Sequence, residues 1–198
     1  MSGETFSAAD IEYVRANYRP LDELCSEHGR QAEEIRALIR DKALPAASYV
    51  LPDGTEMVPD EYFQLVDEAG GPKRLRQEFE RRHEAAGGPA SELQEDWEGY
   101  ISGLYAVCLR HLSPETIVRK GRLVTSVGRL LADPAPEDEA WRERLRAEVD
   151  ELDALEREFS PDLDRRRFER PPTRDQLIVA ARERYPELFA LEARVRGR

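Results

Sequence analysis

Each of the three histidines in this chain follows another potential metal ligand by three residues: Cys25 precedes His28, Glu80 precedes His83, and Cys108 precedes His111. Positions three apart share a helix face. Two Cys-x-x-His pairs therefore have the donors of a tetrahedral zinc site, and Glu-x-x-His is half of a carboxylate-bridged di-iron arrangement. Other features weigh against a metal. Cys25 sits where a helix crossing needs a small side chain, and Cys108 falls on an apolar stripe, where free cysteine acts as a small hydrophobe. No second Glu-x-x-His exists to complement His83. Cys25 and Cys108 are read as packing residues before ligands, which leaves Cys25, His28, Cys108 and His111 a weak zinc set, and no metal or cofactor is expected.

Covalent and acid–base chemistry leave less trace. The chain has no Gly-x-Ser-x-Gly, no Gly-x-x-x-x-Gly-Lys and no Gly-x-Gly-x-x-Gly, so the hydrolase, nucleoside-triphosphatase and dinucleotide-binding motifs are all missing. The acidic runs Glu137–Glu139 and Asp150-Glu151 read as solvated faces or helix-start charges. No catalytic residue emerges. A ligand pocket has better material: Trp97, Tyr100 and Tyr105, near Arg119 and Lys120, combine aromatic rings, hydroxyls and cations suited to an anionic small molecule. Arg165-Arg166-Arg167 also invites an anion, but Asp162, Asp164 and Glu169 stand beside it and can neutralise it.

A helix from Gln31 would present Gln31, Arg36 and Arg40 to DNA. Glu33 and Glu34 occupy its first turn, however, where a DNA-reading helix favours amides or cations near phosphate. The segment Ala46–Asp60 that would flank it has no Lys or Arg, while Asp53, Glu56 and Asp60 would face the polyanion. The net charge of −11 also weighs against a general affinity for nucleic acid or an anionic membrane. Basic character is confined to residues 165–198, with ten Arg against five acids. A partner other than nucleic acid is expected.

The elements that must position these residues are mostly helices. Ser7 with Asp10 signals a helix start, and Ile11 and Val14 mark an apolar face that offers a surface for pairing two copies. Leu21, Leu24 and Cys25 share a side of a second helix that Gly29 stops; Ile35, Leu38 and Ile39 line a third. Cys25 four before Gly29 and Ile35 six after it resemble the helix-turn-helix spacing. Tyr49-Val50-Leu51 and Thr55-Glu56-Met57-Val58 flank Pro52-Asp53-Gly54, which predicts a short hairpin over about 48–58. A helix from Glu61 to about Ala69 follows. This order is similar to the winged-helix domains of the mercury-resistance regulator and excisionase superfamily.

Gly87-Gly88-Pro89 is the best linker signal. It predicts a winged helix-turn-helix-like domain at 1–86, a linker at 87–90 and an all-α helical domain at 91–198. Ser91 is a candidate cap for a helix bearing Trp97, Ile101, Leu104 and Cys108 on one stripe. Ser113 and Pro114 start another helix with Ile117, Val124, Val127 and Leu131 inward. The clearest stripe is Trp141, Leu145, Val149, Leu152, Leu155 and Phe159, expected against the Trp97 helix. Thr173 with Gln176 reads as a capping box. Charged residues interrupt every hydrophobic run, so no membrane span is expected. Two cysteines 83 residues apart and an N-terminus without an apolar run suggest a reducing, cytoplasmic setting.

Tyr49 to Gly54 with Met57-Val58, Tyr62-Phe63 through Ala69-Gly70-Gly71, Trp97 to Tyr105, Pro114-Glu115 with Val118, and Leu152 to Phe159 together resemble an actinobacterial domain-of-unknown-function family. Its members are commonly described as natural product biosynthesis proteins. The resemblance implies a setting in specialised-metabolite gene clusters, and implies neither a reaction nor active-site residues. The expectation is a biosynthetic or accessory protein that binds a small molecule or partner enzyme through its helical domain, with a helix-turn-helix transcriptional regulator as the alternative.

Overall fold

The structure, a computed structural model, describes residues 5–167 and 171–190. Ser7 caps the first helix, α1 (Ala8–Asn17): its hydroxyl accepts from the Asp10 amide at 3.2 Å, and the Asp10 carboxylate accepts from the Ser7 amide at 2.9 Å. A two-residue strand, β1 (Arg19–Pro20), leads into α2 (Leu21–Glu27) and, past Gly29 at φ +63°, α3 (Ala32–Arg40). The predicted hairpin forms from β2 (Tyr49–Val50) and β3 (Glu56–Val58). Gly54 turns it at φ +85°, and the Asp53 carboxylate accepts from the Thr55 amide at 3.0 Å.

The sheet has a third member that the sequence reading misses. β1 pairs antiparallel with β3, Arg19 opposite Val58, giving the order β1-β3-β2. Pro20, directly before α2, sits at the edge of this sheet, where its missing amide costs nothing. A strand of two residues is too short to show any alternation.

Beyond the sheet come α4 (Gln64–Glu68), α5 (Pro72–Ala85), α6 (Leu93–Ile101), α7 (Tyr105–Cys108), α8 (Pro114–Ala132), α9 (Glu139–Leu155) and α10 (Leu163–Arg167). A π-helical segment (Arg174–Val179) then runs into α11 (Ala180–Arg184) and α12 (Pro186–Phe189). Ser113 caps α8 as predicted, and Pro114 takes its first turn. Three local expectations fail. The single helix through Trp97 and Cys108 is two, because the chain turns at Gly103 with φ +74°. A Cβ on Gly103 would lie 2.4 Å from the Ala46 carbonyl oxygen, so the break is held by tertiary contact. Ser91 is not the cap of α6, whose flanking residue is Glu92 without a side-chain bond. Thr173 donates its hydroxyl to Glu156 at 2.6 Å and leaves the π-helical segment uncapped.

Three apolar clusters organise the described residues. The largest joins Leu21, Leu24, Cys25 and Ile35 to Phe63, Leu75, Phe79, Trp97, Tyr100 and Ile117. It spans 87–90 without a break: Phe79 meets the Trp97 ring edge-on at 5.3 Å. A second holds the α9 stripe, with Trp141, Leu145, Val149 and Leu152 packed on Leu123, Val127, Ile178 and Tyr185. The partner of α9 is thus α8 and the C-terminal helices, not the Trp97 helix. The third gathers Val14, Tyr18, Tyr49, Met57, Val107 and Leu163. It covers the apolar face of α1, since Val14 is fully buried. No helix among the described residues is long and apolar enough to cross a membrane.

Candidate functional site

The C-terminal turn of α3 builds one wall of a cleft. Asp41 closes the helix, and Lys42 follows at φ +56°, the one non-glycine residue with positive φ among those described. The Ala43 amide reaches back to the Leu38 carbonyl at 2.8 Å and the Lys42 amide to Ile39 at 3.0 Å. This is the Schellman closure, whose left-handed position normally holds glycine. A lysine there carries a backbone cost and points a cation outward from the end of a helix where cations are favoured.

The chain then crosses to α6, where the Ala46 amide donates to the Ile101 carbonyl at 2.9 Å. Tyr62 fixes the same crossing by donating its hydroxyl to the Pro45 carbonyl at 2.6 Å. Between the end of α3, the first turn of α5 and the exposed face of α6 lies a cleft of about 760 Å³. Ile39, Trp97 and Ile101 supply its apolar surface, and Arg40, Lys42 and Arg76 its cations; Glu98 is the acid among its lining residues. Arg76 is held by Glu80 and Gln94, each at 2.8 Å, with its guanidinium 5.5 Å from the Trp97 ring centre. The side chains of Arg40 and Lys42, both exposed, have no ion-pair or hydrogen-bond partner among the described residues. Two uncommitted cations in a cleft that Trp97 also lines suit an anionic molecule with a flat apolar body.

The five residues proposed from sequence for a ligand do not converge. Trp97 lines the cleft. Tyr100 is buried beside Phe79 and Trp97. Tyr105 donates its hydroxyl to Asp96 at 2.9 Å. Arg119 is bound through two nitrogens to Glu151. Lys120 is half-buried, 3.1 Å from Glu156. Burial opposes its charge, but the neighbouring Cys108 and Glu156 outweigh that and raise its pKa.

A buried constellation that sequence reasoning missed lies behind the cleft. His83 Nε2 is 2.9 Å from Asp96 Oδ2, and Asp96 Oδ1 is the oxygen that Tyr105 reaches. Burial, then the bond to Asp96, raises the Tyr105 pKa above its ordinary range, so it serves as a neutral donor. Gly88 and Gly99 make room: a Cβ on Gly88 would fall 2.2 Å from the His83 ring, and one on Gly99 2.5 Å from the Tyr105 ring. One signal was present. Leu75, Phe79 and His83 recur every fourth residue, which puts the histidine on the buried stripe of α5.

The metal candidates are occupied otherwise. His28 is exposed and its ring packs on Phe63 at 5.2 Å. Cys25 is buried in the main core, and His111 is exposed. Burial pushes the Cys108 thiol up. Among the described residues no three His, Cys, Asp or Glu side chains group as metal ligands.

Of the DNA-facing set, Gln31 is exposed and Arg40 lines the cleft. Arg36 is taken up inside the chain by Glu56 at 2.6 Å, Glu33 at 2.7 Å and Asp22 at 2.6 Å, and these bonds, that to Glu56 foremost, raise its pKa beyond the ordinary arginine range. Glu56 of the hairpin and Glu33 of the α3 start thus answer one arginine, while Asp53 faces Arg15 and Asp60 faces Arg19. Two arginines of the triplet at 165–167 meet acids distant in the chain. Arg165 faces Asp175 at 3.8 Å and Arg166 faces Asp10 at 3.9 Å. Asp164 is turned inward to accept from Tyr49 at 2.7 Å. Glu169 and the basic residues after Ala190 lie outside the described residues.

A family model described as a family of unknown function, DUF6058, matches residues 72–186, more than half of the chain. No curated protein and no solved structure matches it. The matched region contributes Arg76, Trp97 and the α6 wall to the cleft, whereas Arg40 and Lys42 precede it.

Proposed function

We propose that this chain, which belongs to the DUF6058 family of unknown function, is an accessory or biosynthetic protein of specialised metabolism that binds a small anionic molecule in the α3–α5–α6 cleft. The observation that carries the binding reading is the pair Arg40 and Lys42, exposed and uncommitted beside Trp97. The metabolic setting rests on the sequence resemblance alone. The binding reading also moves the site: of the five residues first proposed, Trp97 stays and the cations come from α3 rather than α8.

The experiment is a fluorescence titration of a Trp141→Phe variant, in which Trp97 is the sole indole, with aromatic carboxylates and aryl phosphates. Saturable quenching that disappears in Arg40→Ala/Lys42→Ala supports the reading. Quenching that survives the double substitution, or no quenching by any member of the panel, overturns it. Metabolite profiling of a deletion strain tests the setting separately, since an unchanged profile removes it.

The order α1-β1-α2-α3-β2-β3, with a glycine turn between α2 and α3, favours a second reading as a winged helix-turn-helix that binds DNA through α3. Against it stand the capture of Arg36 and a hairpin without a cation. Salt-dependent anisotropy with DNA from around the gene would make the regulator the better reading; no change at low salt would remove it.

A further inference from the structure

On the opposite side of the 87–90 loop, α8 carries Arg119, Arg122, Ser126 and Arg129 at spacings of three, four and three, which set them along one helix face. Two adjoining depressions of about 480 and 620 Å³ run beside that face and share Ser126, Arg129 and Arg144. Arg144 reaches across from α9 to the Ser126 hydroxyl at 2.8 Å. From Val118 to Ala132 the groove is about 21 Å long at 1.5 Å per residue, the span of six or seven residues of extended chain at about 3.3 Å each. All four arginines are exposed.

We infer that this groove docks an acidic, extended segment of a partner protein. The chain is strongly acidic, yet here four guanidinium groups gather within one groove. Their present partners release them cheaply. Arg119 holds Glu151 in an exposed pair, Arg144 reaches the half-buried Glu148, Arg122 donates to the Gly87 carbonyl at 2.6 Å, and Arg129 has no side-chain partner among the described residues. Exposed pairs of this kind contribute little, so a carboxylate arriving from outside competes on even terms.

The groove also has acceptors. Glu92 and Glu148 line the first depression, and Asp133 and Asp138 the far end of the second. Glu148 Oε2 is buried and accepts no hydrogen bond among the described residues. An extended peptide answers both needs, with side-chain carboxylates for the arginines and backbone N–H for Glu148. A DNA backbone has acceptors only and offers no N–H to Glu148.

The test titrates the full chain, at low salt, with a fluorescein-labelled peptide of alternating Glu and Ala long enough to fill the groove, its Lys–Ala counterpart and a single-stranded DNA of matching length. The acidic peptide is expected to bind saturably, and Arg122→Glu/Arg129→Glu to weaken it by about tenfold or more. Circular dichroism confirms that this surface variant keeps its helices. Arg40→Ala/Lys42→Ala should leave the affinity unchanged, which separates this groove from the cleft above. The proposal is overturned by an absence of peptide binding, by binding insensitive to Arg122 and Arg129, by binding lost on removing Arg40 and Lys42, or by tighter binding of the DNA.

Discussion

His83 on α5 and Asp96 on α6 meet at 2.9 Å with the histidine wholly buried, and the same carboxylate takes the Tyr105 hydroxyl at the start of α7. Three elements are tied by one carboxyl group, each of whose oxygens has one side-chain partner. His83→Ala leaves that group buried with half its partners gone. Leaving a buried polar group short of one hydrogen-bond partner costs about 1–3 kcal/mol, and urea unfolding should show a loss of that order. Tyr105→Phe removes one neutral donor and should cost about 1 kcal/mol. A His83→Ala protein as stable as the wild type would mean that the pair contributes nothing to joining α5 and α6.

Lys42 holds a left-handed backbone conformation that glycine would adopt without strain. Lys42→Gly is expected to stabilise the fold by about 1 kcal/mol while weakening anion binding in the cleft. The combination is the informative result, read from a urea midpoint and a ligand titration on the same preparation. A variant that is both less stable and fully competent to bind contradicts the role given to this residue.

Two glycine-to-alanine changes should act in opposite directions. At Gly103, φ is +74° and the new Cβ meets the Ala46 carbonyl, so Gly103→Ala should destabilise by about 2 kcal/mol or more. At Gly128, in the middle of α8, nothing lies within 4 Å of a Cβ. Gly128→Ala should therefore stabilise by about 0.5–1 kcal/mol through helix propensity alone. Thermal melts of the two variants, side by side, check both signs.

Asp10 gives the acid limb of the stability profile. Burial would raise its pKa, but bonds from the amides of Ser7, Leu163 and Asp162 and from the Ser7 hydroxyl prevail and hold it at about 2, against the ordinary 3.8. A folded pKa below the unfolded one means that the unfolded chain binds the proton more readily, so the stabilisation is complete above about pH 4 and is lost as the pH falls toward 2. Urea midpoints should drop over that interval, and Asp10→Asn should flatten the drop. An unchanged slope in the variant would assign the acid limb to other carboxylates.

Local features of the fold are legible in the residues. Ser7 with Asp10, Ser113 before Pro114, Gly29 between α2 and α3, and Pro52-Asp53-Gly54 each specify a cap or turn through bonds and backbone angles within a few residues of themselves. The Trp141 stripe likewise declares a buried face. The site is far less legible. Trp97 was recognisable as an aromatic on an apolar stripe, and Arg40 as an exposed cation on α3, but nothing in their spacing puts them on one cleft. Asp96 gives no sign in sequence, where it is one acid among forty-one.

The sequence by itself determined the starts of α1 and α8, the buried stripe of α9, and that one hairpin forms, because those outcomes are decided within a turn or two of chain. Tertiary structure decided which buried face meets which: α9 against α8 rather than α6, β1 against the hairpin, Phe79 against Trp97 across 87–90. It also decided the charges, assigning Arg36 to Glu56, Glu33 and Asp22 and leaving Arg40 and Lys42 uncommitted. Periodicity records that a side chain is withdrawn from water and carries no label for its partner, and long-range contacts are chosen by shape and charge summed over the whole chain.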